Sequence, residues 1–186
     1  MLGRISLFRG ALDTAAEQLD ASIKLAEQDH WLAFLPWPQA LRGEVQLARG
    51  DPAGAAEDLQ HAFARACQLG DPCWEGMAAR GLALVAEATG DAERAFALLA
   101  DARACSGRLA EPYLWLDGYI LDAQCELGRR HGHPDTGVWI ETLRNLAFRS
   151  GMQDFALRSL QHGAALGRAG DDAAAAALAD ELAAYR

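Results

Sequence analysis

The sequence is nearly empty of lysine: Lys24 stands against sixteen arginines. Sites that grip a phosphate through a lysine are therefore poorly supplied, and the chain has no G-x-x-x-x-G-K-[ST] loop. H-E-x-x-H, G-x-S-x-G and a G-x-G-x-x-G turn after a strand are missing too, which makes an enzyme the remote reading. Positive charge is scarce overall. A formal net charge of −9 and a pI near 4.9 argue against direct nucleic-acid binding, which needs a basic stripe to replace counterions. No apolar run approaches the ~20 residues of a membrane span, so no membrane partner is expected. The N-terminal stretch, with Arg4 and Arg9 among scattered apolar residues, lacks a signal-peptide core. Cytoplasm is the resulting expectation. The four cysteines, Cys67, Cys73, Cys105 and Cys125, form no C-x-x-C pair. They read as buried free thiols, because cytosolic thiols stay reduced. Neither cofactor nor metal is expected.

What the chain does have is a repeat. Gly50-Asp51 is followed forty residues later by Gly90-Asp91, preceded forty earlier by Gly10, and echoed at Gly170-Asp171. After Gly50 the apolar residues Ala55, Ala56, Leu59, Ala62, Phe63, Ala66 and Cys67 fall at the i, i+3, i+4, i+7 spacing of one helix face. Asp51 is placed to cap that helix and Pro52 to open it. Upstream, Leu41, Val45 and Ala48 form a second stripe ending at Gly50, a residue free to take the left-handed conformation that stops a helix. Each unit is thus helix, tight turn, helix. The pattern recurs with Ala95, Phe96, Leu99 and Ala102 after Gly90, and with Leu12, Ala15, Ala16, Leu19, Ile23 and Ala26 after Gly10. Ala15, Ala55, Ala95 and Ala175 each follow a glycine by five, where paired helices must come close. Neither helix of a pair can bury its stripe alone, so the units are expected to stack.

These residues resemble the tetratricopeptide repeat. Its pattern has a glycine seven residues before the turn, matched by Gly3, Gly43 and Gly163 and replaced by Ala83. Its large apolar position is matched by Leu19, Leu59 and Leu99. The resemblance covers nearly the whole chain, with a period of forty in place of the family's ~34 and without most of the signature aromatics of the first helix. Longer repeats of this kind look like those of large ATP-binding LuxR-type (MalT-like) regulators. The resemblance implies an all-α fold, an α-α superhelix of about five helical hairpins in a single domain. The repeats read as residues 1–30, 31–70, 71–107, 108–150 and 151–186.

Taken in order, Met1-Leu2-Gly3 matches the middle of a first helix. A fragment of a larger protein is expected, the alternative being that another copy covers the exposed face. His30 to Pro38 reads as an apolar connection whose prolines separate two helices; packing is the reading for its tryptophans, with an aromatic ligand box as the other. Asp71-Pro72 opens the third repeat and Glu111-Pro112 the fourth, whose first helix is apolar on nearly all sides and should be sandwiched. Residues 128–134, with His131 and His133, read as an expanded solvated loop, since two histidines fall short of a zinc site. The last helix, with Leu178, Leu182 and Tyr185 on one side, reads as a terminal cap.

In the tetratricopeptide family the first helix of each pair lines a concave groove. Carried over residue by residue, those positions are Trp37, Glu44, Arg80, Glu87, Trp115, Asp122 and Glu126. Such a groove implies a protein or peptide partner with positive charge and an apolar anchor. A protein-interaction scaffold within a bacterial transcriptional or signalling regulator is the expected function. Sensing of a small-molecule inducer is the alternative, and a homodimer through an exposed end of the stack is a further expectation.

Overall fold

The structure is a computed structural model that describes residues 2–108, 111 and 113–184. Among the described residues there is no strand. Ten α-helices follow one another: α1 Leu2–Phe8, α2 Leu12–Gln28, α3 Pro36–Ala48, α4 Pro52–Leu69, α5 Pro72–Ala88, α6 Ala92–Ser106, α7 Leu114–His131, α8 Thr136–Ser150, α9 Gln153–Ala165 and α10 Asp171–Ala184. The all-α class is therefore correct. Helices adjacent in sequence pack as pairs, α1 with α2, α3 with α4, α5 with α6, α7 with α8 and α9 with α10. The chain divides into two compact units, Met1–Glu111 holding α1 to α6 and Pro112–Arg186 holding α7 to α10.

The turns form for the reasons the sequence gives. Gly10, Gly50, Gly90 and Gly170 take φ of 72°, 83°, 89° and 84°, left-handed values that a Cβ disfavours. Asp51 accepts from the Gly54 amide at 2.9 Å and Asp91 from the Arg94 amide at 3.0 Å, satisfying amides that a helix start leaves without partners. Asp71 does the same for Cys73 and Trp74. Ala15, Ala55 and Ala95 are all 0 % exposed, as close helix approach requires. A Cβ on Gly3 would stand 2.7 Å from Leu19 Cγ, and one on Gly43 2.7 Å from Leu59 Cγ. The same glycine-on-leucine contact thus recurs one period apart. Each leucine so buried contributes about 1.5–3 kcal/mol.

In the first unit, Ile23, Ala26 and Leu35 form a cluster that Phe34 joins. In the second, Leu121, Cys125, Ile140 and Leu143 form another, flanked by Trp139, Leu146 and Phe155. Helix α7 buries eleven of its residues, among them Leu116, Ile120 and Leu127.

Three local expectations change. The expanded loop at 128–134 is mostly helix: α7 runs on to His131 and stops at Gly132, φ 66°. Arg129 and Arg130 each bond the Glu126 carboxylate at 2.9 Å, one turn back, and these pairs hold the last turn wound. Asp171, read as part of the turn after Gly170, is the first residue of α10, 7 % exposed, and pairs with Arg144 at 2.5 Å. Cys67, placed on an apolar stripe by spacing, is exposed, whereas Cys73 and Cys125 are buried. Met1, Pro112 and Tyr185, which the sequence reading also used, lie outside the described residues.

Candidate interaction surface

In the first unit, α3 carries Trp37 and Glu44, and α5 carries Arg80 and Glu87. First helices of successive hairpins lie against each other, since α3 packs on α5 as well as on its own partner α4. Arg80 donates to Glu44 across that joint at 2.7 Å, and both side chains are 8 % exposed. A carboxylate this buried is tolerable because the guanidinium neutralises it. Glu87 is half-buried.

Trp37 is half-buried and belongs to an aromatic row. Its ring stacks on Trp74 of α5, with centroids 5.7 Å apart and planes 14° apart. Phe34 meets it edge-on at 5.4 Å, and Trp31 stacks on Phe34 at 4.6 Å. Trp31 is 60 % exposed, so the row runs from the α3–α5 joint out to solvent. Beside it lies an open apolar cleft of about 350 Å³ lined by Leu19, Leu25, Phe34, Trp37 and Leu41 among others.

In the second unit, Trp115, Asp122 and Glu126 all belong to α7. Asp122 is 6 % exposed and receives Arg158 at 2.6 Å and His162 Nε2 at 2.8 Å, both from α9. Burial by itself raises the Asp122 pKa; the hydrogen bond with His162 and the Arg158 charge overcome it and hold the carboxyl below its ordinary value. Glu126 is half-buried. Burial again works to raise its pKa, and Arg129 and then Arg130 bring it below the ordinary value. The other imidazole nitrogen of His162, Nδ1, stands 3.7 Å from Glu126. Trp115 is half-buried.

Of the seven residues, the structure therefore brings Glu44 and Arg80 together as a pair, and draws Asp122 and Glu126 to one histidine. The partners Arg158 and His162 escaped the sequence reading. A signal existed, since His162 lies forty residues after Asp122, one full period. Trp74 escaped as well, because it falls 37 residues after Trp37 and out of register with the repeat. Arg42 was the other omission: it grips Asp58 of α4 through two bonds, at 2.7 and 2.5 Å, and Asp20 of α2 at 3.1 Å.

Among the described residues no group of three or more His, Cys, Asp or Glu is arranged to hold a metal ion. His133 instead stacks on Trp139, with ring centroids 4.5 Å apart, and accepts from the Asp135 amide. No helix among them is long and apolar enough to cross a membrane. Comparison with protein-family models, with curated proteins and with solved structures returns no match of any kind.

Proposed function

We propose that the chain is a protein-interaction scaffold, an α-α superhelix of tetratricopeptide type serving a cytoplasmic bacterial regulator of transcription or signalling. One observation carries the reading: the aromatic row Trp31, Phe34, Trp37 and Trp74 is fixed at the joint between two first helices and ends in a ring 60 % exposed. Rigid aromatic rings at the edge of an ordered surface are what anchor a partner's apolar side chain, because they offer area at little entropic loss. Charge supports a cationic partner in a revised way. Glu44 and Asp122 are already paired with the guanidinium groups of Arg80 and Arg158, so attraction for a basic segment falls to the exposed acids behind the net charge of −9. The test is selection of displayed peptides on the full chain and on a Trp31→Ala variant. Enriched peptides should join an apolar or aromatic anchor to Lys or Arg and lose binding to the variant. Enrichment indifferent to Trp31, or none, defeats the reading.

The small-molecule alternative rests on the cleft beside Phe34 and Trp37. Its apolar lining suits a hydrophobic effector. A thermal-shift screen of apolar metabolites separates it from the scaffold reading, since only a sensor gains melting temperature from one of them.

A further inference from the structure

Arginines drawn off the surface of this chain meet carboxylates: Arg42 pairs with Asp58, Arg80 with Glu44, Arg144 with Asp171 and Arg168 with Glu141. Arg65 on α4 does not. It is half-buried, yet among the described residues it makes no ion pair, hydrogen bond or ring contact. It lines an open cleft of about 330 Å³ between α3 and α4, together with Gln39, His61, Ala64 and Gln68. The four residues from α4 share one helix face through their three- and four-residue spacings, and Gln39 comes from α3.

The lining thus holds a guanidinium, an imidazole and two carboxamides and no carboxylate, in a chain with 26 Asp and Glu. None of these four side chains bonds another protein side chain among the described residues. The Gln39 oxygen Oε1 is shielded from solvent and has no donor, an uncompensated cost that a donor supplied by a ligand removes. Asp58, three residues before His61, does not compete for Arg65, because Arg42 holds both of its carboxylate oxygens. Gln39 follows Trp37 by two residues, a spacing that sets the two on different sides of α3, so the cleft is separate from the aromatic row.

A ligand that answers this lining brings several acceptor oxygens for Arg65, His61 and Gln68, and a hydrogen for Gln39. A carboxylate has only two oxygens for three donor side chains. Sulfate has oxygens enough and no hydrogen. Hydrogen phosphate has both, since at neutral pH it keeps a P–OH beside its unprotonated oxygens. A phosphate monoester, with its second pKa at about 6, has mostly lost that hydrogen by pH 7.5. We propose that the cleft binds free inorganic phosphate. Arg65 engages two oxygens as a fork, His61 and Gln68 donate to the others, and the P–OH donates to Gln39 Oε1. The net charge of −9 opposes this little, because exposed charges beyond about 8 Å are screened at physiological salt. The site does not depend on what the aromatic row binds.

Titration of the full chain at pH 7.5 and fixed ionic strength, with inorganic phosphate, sulfate, glycerol phosphate and glycine in turn, tests this. The NMR signals of the Arg65 guanidinium and the His61 ring report binding. Phosphate should move both and bind about tenfold or more tightly than any of the other three, the equivalent of one hydrogen bond to a charged group. Arg65→Gln, a good helix former in the same place, should abolish binding with circular dichroism unchanged. Gln39→Met should bring phosphate down to the level of sulfate, because it removes the acceptor that tells them apart. A wild type that leaves both signals unmoved by phosphate overturns the proposal. So does equal binding of phosphate and sulfate, which would mean charge attraction alone, and so does tighter binding of the ester or of glycine. A preference for phosphate that survives Gln39→Met removes Gln39 from the site and overturns the assignment as well.

Discussion

Arg80 on α5 bonds Glu44 on α3 at 2.7 Å across thirty-six residues of chain. Thirty-six residues also separate Asp122 from Arg158, so each unit has one buried acid tied to a cation on the next first helix. Such pairs fix register more than they add stability. Losing one member leaves the other charged and buried, which costs about 3–5 kcal/mol, whereas replacing both with apolar groups of similar size is often neutral. Glu44→Gln and Arg80→Met should therefore each destabilise strongly, and the Glu44→Leu, Arg80→Met double variant should recover most of the loss. Urea unfolding followed by tryptophan fluorescence measures all three. Simple additivity of the two single effects would mean that the residues do not act as a pair.

Leu59 sits between two glycines. A Cβ on Gly43 would stand 2.7 Å from its Cγ and 3.1 Å from the Ala55 carbonyl oxygen, and one on Gly81 would meet both of its methyl groups. With glycine on both sides the leucine can yield in neither direction. Gly43→Ala should then cost about 1–3 kcal/mol as overpacking, and Leu59→Ala about 2–5 kcal/mol as a cavity. Combined, they should cost clearly less than their sum, because the new methyl group partly fills the space that the leucine leaves. A double-mutant cycle by thermal melting gives the coupling.

Asp122 sets an acid limit on the second unit. Its pKa is lowered in the folded chain, so the carboxylate stabilises the fold above the ordinary value of 3.8 and loses that contribution as pH falls through the folded value. Glu126, shifted in the same direction, adds to the trend. Asp122→Asn should melt below the wild type at neutral pH and lose less on acidification, so that the two curves converge at the acid end. Melting temperature recorded across that range checks the sign. Curves that stay parallel at every pH would show that Arg158 and His162 do not depend on the charge.

The hairpins were legible because their signals are local. A left-handed glycine, a capping aspartate and an alanine five residues on each act within a few residues of chain, and Gly50-Asp51 and Gly90-Asp91 do what the pattern says. Period alone brought Gly3 onto Leu19 and Gly43 onto Leu59. The surface was less legible. Glu44 and Asp122 look like solvent-facing acids until Arg80 and Arg158 arrive from the next hairpin, and one sequence does not say which cation an acid will choose. The end of α7 was misread because Gly128 suggested a stop. Its neighbours Arg129 and Arg130, both bonded to Glu126, keep the helix going as far as Gly132, where the chain takes φ 66°.

Asp51 and Asp171 follow equivalent glycines and do different work. Asp51 accepts one amide at an exposed helix start, so Asp51→Ala should cost about 1 kcal/mol, the ordinary value of a cap. Asp171 is 7 % exposed and bonds Arg144 at 2.5 Å between the fourth and fifth hairpins. Its removal takes away a charged hydrogen bond, about 1.5–3 kcal/mol, and leaves a space facing Gly163, where a Cβ would run into the Asp171 carboxylate. Asp171→Ala should therefore be the more damaging substitution. Gly163→Ala, harmful in the wild type, should be tolerated once Asp171 is alanine. Thermal melting of the two single variants and the double variant decides it: if Gly163→Ala is equally harmful in both backgrounds, the carboxylate is not what the glycine accommodates.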